Sequence, residues 1–176
     1  MSPTPDETDS RLVVVLMGVS ASGKSTVGAA LARALSLPFV EGDELHSRDN
    51  IEKMSRGEPL TDEDRAPWLA AIAPLLTDES RYPRGLVIAC SALKSAYRDE
   101  LRAASSAVTF LFLDASPDLV ASRMAARRHH FMPPTLAASQ FAALERPAPT
   151  DPDVITLDAA LPIDTLVGGA LQALRR

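Results

Sequence analysis

Short apolar runs recur along the chain and alternate with segments of helical periodicity. The clearest runs are residues 12–17, 86–90, 108–113 and 154–157, with a shorter strand candidate at 38–41. A strand that is apolar at every position, rather than at every second one, is typical of a parallel sheet buried on both faces. The pattern therefore predicts an α/β domain in which a five-stranded parallel sheet carries helices on both faces.

Helical patterns follow these runs, and one long region has no strand pattern at all. Residues 44–84 carry only helical patterns, so we expect a helical insertion between the second and third strands. Thr61 and Asp64 have the spacing of a capping box, with Asp in place of the usual Glu. Pro74 lies inside the helix that follows and is expected to kink or end it.

A glycine-rich loop joins the first strand to the first helix. Its sequence, GVSASGKS from Gly18 to Ser25, fits G-x-x-x-x-G-K-[ST], and the flanking strand and helix are the context of a phosphate-binding P-loop. Backbone N–H groups and the positive helix end would hold phosphate oxygens, Lys24 would reach the β- and γ-phosphates, and Ser25 would bind Mg²⁺. The alternative is a glycine-rich turn without a ligand. The expected nucleotide-binding residues are Gly18, Val19, Ser20, Ala21, Ser22, Gly23, Lys24, Ser25 and Thr26.

Composition narrows the classes of protein to consider. The chain has 176 residues, enough for one domain with a real core, and its 46% apolar content excludes a largely disordered chain. Residues 1–10 are polar and proline-containing, so we expect a disordered tail there and a single domain over 11–176. The net charge of −5 argues against nucleic-acid binding over the whole surface.

The cellular compartment is predicted from cysteine usage and from the apolar runs. Cys90 is the only cysteine, so no disulfide can form within the chain, which agrees with a reducing cytosol. The N-terminus lacks the basic and apolar regions of a signal peptide. No apolar run approaches the roughly 20 residues that span a bilayer. We therefore expect a cytoplasmic protein with no membrane partner.

Two carboxylates follow the second strand. Glu41 and Asp43 lie where ligands bind in open parallel sheets, at the carboxyl ends of the strands. The predicted third strand ends in Cys90-Ser91, where P-loop proteins commonly carry an Asp for Mg²⁺. The metal's second carboxylate must then come from elsewhere, and Glu41-Gly42-Asp43 is the natural supplier. Glu41 lies deeper in the strand and is assigned to Mg²⁺. Asp43 lies further out and is assigned to an attacking hydroxyl as general base. The alternative is a solvated acidic turn.

Two basic clusters complete the candidate chemistry. One suits an anionic phosphoryl acceptor, and the other closes the helix after the fourth strand, before Pro133-Pro134, where a lid would close over transferring phosphate. For either cluster the alternative is a solvated helix face. The first cluster is His46, Arg48, Lys53 and Arg56, and the second is Arg123, Arg127, Arg128, His129 and His130.

Several longer segments extend beyond the P-loop: MGVSASGKST, EGDELHSRDNIEKMSRGEPLTDEDRAPWL, CSALKSAYRDELR, FLFLD and Arg127-x-x-His130-Phe131 before Gln140-Phe141. Together they resemble the gluconokinase family, small P-loop kinases related in fold to shikimate and adenylate kinases. They cover residues 12 to about 157. The P-loop is common to many families, whereas GDELH, NIEKM, GEPLTDEDRAPWL and CSALK are far more specific together.

This resemblance implies a fold and an activity. The fold is the three-layer P-loop kinase fold, with 44–84 as an acceptor-binding insertion and about 124–140 as a short lid. The activity is transfer of the ATP γ-phosphate to the 6-hydroxyl of D-gluconate, with ATP as co-substrate and Mg²⁺ as cofactor. Family members are often homodimers. Three departures from the family pattern are Glu41 for a usual Asp, Ser47 for a common Pro and His129 for a usual glycine.

The resemblance also carries over residue roles. Lys24, Asp43 and Arg127 are the implied catalytic residues, and Arg123 joins Arg127 as a lid arginine that contacts the nucleotide. The implied substrate-binding residues are Asp43, His46, Arg48, Lys53, Arg65, Lys94 and His130.

Two other functions fit the same motifs. A related P-loop kinase acting on another small hydroxy acid, such as shikimate, would have the same fold and a different acceptor pocket. A nucleotide-binding regulator would lack an acceptor site, and the grouping of Asp43, Arg48 and Lys53 weighs against it.

Overall fold

A computed structural model describes residues 11–126 and 134–175 of the chain. Its centre is a sheet of five strands in the order β2-β3-β1-β4-β5, and every neighbouring pair is parallel. This arrangement confirms the predicted five-stranded parallel sheet. The strands are β1 (Leu12–Met17), β2 (Phe39–Glu41), β3 (Gly85–Ala89), β4 (Val108–Asp114) and β5 (Val154–Asp158).

Seven helices are present in the described residues, together with a short 3₁₀ helix, Gly42–Leu45, directly after β2. Between that 3₁₀ helix and β3, the described chain contains helices and loops only, as the sequence predicts. The helices are α1 (Lys24–Leu35), α2 (Arg48–Ser55), α3 (Asp62–Thr77), α4 (Ser95–Ala104), α5 (Pro117–Ala126), α6 (Pro134–Ala143) and α7 (Ile163–Leu174).

The two faces of β1 bury into two separate apolar clusters because side chains alternate along a strand. Val13, Val15 and Met17 pack with side chains of α3 and α4, including Trp68. Val14 and Leu16 pack on the opposite face with side chains of α1, α5 and α7. Helices therefore cover both faces of the sheet, and the central strand holds its carboxyl end, where the P-loop begins, in a fixed position.

The start of α3 follows the predicted capping box. The Asp64 backbone N–H donates to the Thr61 hydroxyl at 3.2 Å, and the Thr61 N–H donates to the Asp64 carboxylate at 2.8 Å. The helix does not end at Pro74 but continues three residues further to Thr77. Leu76 in that last turn is fully buried, and its packing stabilises the turn despite the missing proline N–H.

Candidate functional site

The P-loop wraps around the carboxyl end of β1. Gly18 has φ of +138°, and a Cβ there would lie 2.8 Å from the Leu113 carbonyl oxygen, so only glycine fits without displacing the backbone. The Gly18 N–H donates to the Ser91 carbonyl at 3.1 Å, which joins the loop to the residues after β3. The backbone turns again at Gly23, with φ of +107°, and α1 begins at the next residue. The loop is therefore seated at the edge of the sheet where ligands bind in this class of fold.

Lys24 extends across this loop. Its ammonium group donates to the Val19 carbonyl at 2.9 Å, and its side chain borders the pocket described below. A lysine held over the loop mouth at the start of α1 can neutralise phosphate oxygens that the loop N–H groups bind.

Glu41, the last residue of β2, lies against Ser25, the second residue of α1. Burial raises the pKa of the Glu41 carboxyl, the charge of Asp43 raises it further, and a hydrogen bond from Ser25 and the charge of Lys24 oppose this. A half-buried carboxylate in contact with a hydroxyl is a donor set that suits Mg²⁺. Residues 11–126 and 134–175 contain no group of three or more His, Cys, Asp or Glu able to hold a metal ion. A magnesium ion beside Ser25 would therefore take its other ligands from phosphate and water, which is its usual mode.

Asp43 lies just after β2, in the short 3₁₀ helix that packs unusually close to β3. A Cβ on Gly42 would lie 2.1 Å from the Ala89 carbonyl oxygen, so a glycine is needed for the 3₁₀ helix to pack on β3. The Trp68 indole N–H donates to the Gly42 carbonyl at 2.7 Å and joins this short helix to α3. These contacts hold Asp43 at the sheet edge with its side chain exposed.

A polar pocket lies between the P-loop, the 3₁₀ helix, α3 and α6. It brings together the ammonium group of Lys24, the carboxylate of Asp43, the imidazole of His46 and the guanidinium of Arg65. Its lining residues are Ser20, Lys24, Asp43, His46, Met54, Pro59, Leu60, Arg65, Trp68, Ser91, Leu136, Ser139 and Gln140. A pocket with two cations and one carboxylate can bind an anionic polyol and deprotonate one of its hydroxyl groups.

Arg65 is fixed at this pocket by its neighbours. Its guanidinium donates to the Leu60 carbonyl at 2.7 Å and to the Tyr97 hydroxyl at 3.4 Å. The Tyr97 hydroxyl in turn donates to Asp62 at the start of α3. A guanidinium held in this way is oriented before any ligand arrives, and its planar donors match a carboxylate.

Three predicted substrate-binding residues do not line the pocket. Arg48 pairs with Glu52 at 3.3 Å, and its side chain is 91% exposed. Lys53 pairs with Asp64 at 2.6 Å, and Lys94 pairs with Asp62 at 2.7 Å. The last two pairs connect α2 to α3 and α3 to the start of α4, so they support the walls of the pocket.

Arg123 lies on the other side of the P-loop. Its guanidinium donates to the Ser22 carbonyl at 2.7 Å and to the Ala159 carbonyl at 2.6 Å. It borders a second cavity that also includes two of the exposed large apolar side chains, Leu161 and Ile163. The other predicted lid residues, Arg127 and His130, lie outside the described residues, as do Arg128 and His129.

Comparison with known proteins identifies the family. A protein-family profile described as an AAA domain matches residues 13–147. The thermoresistant gluconokinase of Escherichia coli K12 is 40% identical over 164 residues, which cover 93% of this chain and 94% of that protein. The gluconokinase of Gluconobacter oxydans 621H is 47% identical over 139 residues, which cover 79% and 78%. The chain belongs to the gluconokinase family.

Solved structures agree with this assignment to the gluconokinase family. A gluconokinase from Sinorhizobium meliloti 1021 superposes with a TM-score of 0.86 at 45% identity, covering 95% of this chain and 94% of that one. Shikimate kinase from Aquifex aeolicus vf5 superposes with a TM-score of 0.57 at 20% identity, covering 93% and 96%, and shares the fold alone.

None of the helices within 11–126 and 134–175 is long and apolar enough to cross a bilayer.

Two residues of this gluconokinase-family site have contacts that the sequence patterns did not predict. Trp68 stacks on His46 with ring centroids 4.3 Å apart. Gln140 accepts a hydrogen bond from the Ser20 backbone N–H at 2.6 Å, across 120 residues of chain. The resemblance included Gln140 as a matching letter, but neither its spacing nor its charge pointed to the P-loop.

The partly buried position of His46 leads us to predict that the stability of the protein depends on pH. Burial lowers the pKa of this histidine and the charge of Arg65 lowers it too, while the charge of Asp43 opposes both. The unfolded chain then takes up the proton first, near the ordinary pKa of about 6.5. The contribution of neutral His46 to stability is therefore fully present above that pH. As pH drops below it, the free energy of unfolding should fall.

The measurement is urea unfolding between pH 7.5 and 5.5, with His46→Gln as the comparison. The wild-type protein should lose stability more steeply than the variant over this window. Equal slopes for the two proteins would show that His46 titrates normally in the folded state.

Proposed function

We propose that this protein transfers the γ-phosphoryl group of ATP to the 6-hydroxyl of D-gluconate, giving 6-phospho-D-gluconate and ADP. The observation that carries the proposal is that Lys24, Asp43 and Arg65 line one pocket beside the P-loop. Membership of the gluconokinase family over nearly the whole chain supports the same reaction.

The nucleotide binds along the P-loop. The loop N–H groups and the positive end of α1 hold its phosphates, and Lys24 neutralises the β- and γ-phosphates. The adenine ring of the nucleotide stacks in the second cavity, where Leu161 and Ile163 offer apolar surface and the Arg123 guanidinium offers a planar cation. The same guanidinium donates a hydrogen bond to a P-loop carbonyl, so Arg123 contacts both the nucleotide and the loop.

Ser25 and Glu41 hold Mg²⁺ at the phosphates. The ion, when bound, neutralises charge that develops on the phosphate oxygens during transfer. Glu41 is suited to this role because its carboxylate already lies against the Ser25 hydroxyl. Glu41 has one methylene more than the aspartate usual in the family, which gives its carboxylate a longer reach.

The acceptor binds on the insertion side of the pocket. Arg65 binds its carboxylate, His46 contacts its hydroxyl groups, and Asp43 accepts a hydrogen bond from the 6-hydroxyl. Lys53 and Lys94 act through their ion pairs, which hold α2 and α4 against α3. Arg48 is too exposed to contribute in the described conformation.

The reaction then follows from these positions. The 6-hydroxyl oxygen attacks the γ-phosphorus, its proton passes to Asp43, and the bond from the γ-phosphorus to the bridging oxygen breaks to release ADP. Arg127 and His130 remain predicted members of a lid over residues 124–140. A cytoplasmic location and a homodimer are further parts of this proposal.

An acceptor screen tests the proposal against its two alternatives. Release of ADP from ATP and Mg²⁺ is measured without acceptor, with gluconate and with shikimate. We expect stimulation by gluconate. Stimulation by shikimate alone would support the related hydroxy-acid kinase, and no stimulation by any acceptor would support a nucleotide-dependent regulator.

A further inference from the structure

A side chain from α6 is bound directly to the backbone of the P-loop. The Ser20 N–H donates to the Gln140 side-chain oxygen at 2.6 Å. Because the Ser20 group is a donor, the amide must turn its oxygen towards the loop. Its NH₂ group then points away from the Ser20 N–H. This group can donate two hydrogen bonds and can accept none.

The position of α6 explains why this contact is specific. Leu136 and Ala137, in the first turn of the helix, are 4% and 9% exposed. Ala137 packs in the same apolar cluster as Val19 and Ala21, the side chains of the P-loop itself. Gln140 follows Leu136 by four residues and Ala137 by three, so the buried face of the helix carries it to the loop.

Gln140 also borders the acceptor pocket. It lines this pocket together with Lys24 and Asp43, the residues proposed for the phosphates and for the reacting hydroxyl. An NH₂ group at that position can donate to an oxygen with a free lone pair. In a pocket built for a polyol acid, such an oxygen belongs to a hydroxyl or carboxylate of the acceptor.

We infer that Gln140 is a specificity-determining residue for the acceptor: while its oxygen stays on the Ser20 N–H, its NH₂ group donates to an oxygen of the bound polyol acid. This inference rests on the proposed function. One rigid amide would then join the loop that holds the phosphates to the molecule that receives the phosphoryl group, and so set the distance between them.

Two variants separate this role from simple support of the loop. Gln140→Leu removes both halves of the amide. Gln140→Glu keeps an oxygen for the Ser20 N–H but removes the donors and adds a charge that repels an anionic acceptor. Under our inference both variants raise the KM for gluconate, roughly tenfold for the loss of one hydrogen bond and more for the glutamate. For Gln140→Leu, which adds no charge, the dissociation constant of ADP, measured without acceptor, stays within about twofold of the wild type.

Gln172 provides the matched control, because it is the only other glutamine and lies exposed on α7. Gln172→Leu and Gln172→Glu should leave the KM for gluconate and the ADP affinity unchanged. Thermal unfolding of every variant shows whether it folds. If Gln140→Leu does not fold, Gln140→Asn takes its place, since it keeps the amide and shortens its reach by one methylene.

The inference is overturned if Gln140→Glu restores the wild-type KM that Gln140→Leu has lost, because the bond to Ser20 would then be the whole role. It is overturned equally if neither variant changes the KM for gluconate, or if the ADP affinity of Gln140→Leu falls as much as its gluconate affinity. The acceptor screen on the wild-type protein comes first. If another acid replaces gluconate there, the proposed function fails, and the variants are measured with that acid.

Discussion

Replacing Lys24 with alanine should remove nearly all turnover and leave the fold intact. The ammonium group stands over the P-loop and donates to the Val19 carbonyl at 2.9 Å, which places its charge where the β- and γ-phosphates bind. Loss of one such group from a preorganised site lowers kcat by about 10²–10³. Stability should change by no more than about 1 kcal/mol, because the lost contact lies at the loop mouth and water can replace it.

Steady-state turnover with ATP and gluconate, together with a thermal unfolding curve, checks this expectation. Arg33→Ala is the matched control, since it removes one positive charge from an exposed position on the same helix, α1. The control should turn over normally. A folded Lys24→Ala protein that matches the wild-type rate would show that the loop does not act on phosphate.

The two carboxylates after β2 should respond to substitution in different ways. Asp43→Asn keeps the shape of the side chain and removes its basicity. It should lower kcat by roughly 10² or more, the usual scale for loss of a general base, without changing the Mg²⁺ requirement. Glu41→Gln should instead raise the Mg²⁺ concentration needed for half-maximal rate, because Glu41 lies against the Ser25 hydroxyl and Asp43 opens onto the acceptor pocket.

Rates measured across a Mg²⁺ titration decide between these roles. Glu44→Gln is the control for charge alone, since this carboxylate is exposed, adjacent to Asp43 and not among the residues that line the pocket. It should behave like the wild type. If Asp43→Asn needs more Mg²⁺ and Glu41→Gln loses turnover at saturating Mg²⁺, the two assignments are exchanged.

The sheet could be predicted from sequence because its signal is local. Every residue of β1 from Val13 to Met17 is fully buried, so the apolar run and the strand coincide. The capping box of α3 is equally local, with partners three residues apart. The end of α3 was harder to predict, because the packing of Leu76 against the sheet outweighs the local effect of Pro74.

The roles of individual cations could not be predicted in the same way. A lysine that binds an anionic ligand and a lysine that pairs with a distant carboxylate look alike in a sequence. Lys53 and Lys94 find their partners 11 and 32 residues away, and only the packing of α2, α3 and α4 decides this. Gln140 and Ser20 are further apart still, and no periodic pattern connects them.

The resemblance named some residues that line the pocket and some that do not. It named Asp43, His46 and Arg65, which line the pocket, together with Arg48, Lys53 and Lys94, which do not. The three pocket residues come from two elements that meet at the sheet edge, the segment after β2 and the start of α3. That meeting depends on Gly42 and Trp68, whose contacts are tertiary.

The most direct test of the account is to locate the transferred phosphate. The protein is incubated with ATP, Mg²⁺ and gluconate labelled with ¹³C at C6, and the product is followed by ¹³C and ³¹P NMR. We predict that the C6 resonance splits by coupling to phosphorus as ADP accumulates. An uncoupled C6 resonance while ADP accumulates, or phosphate on another carbon, would contradict the proposed reaction.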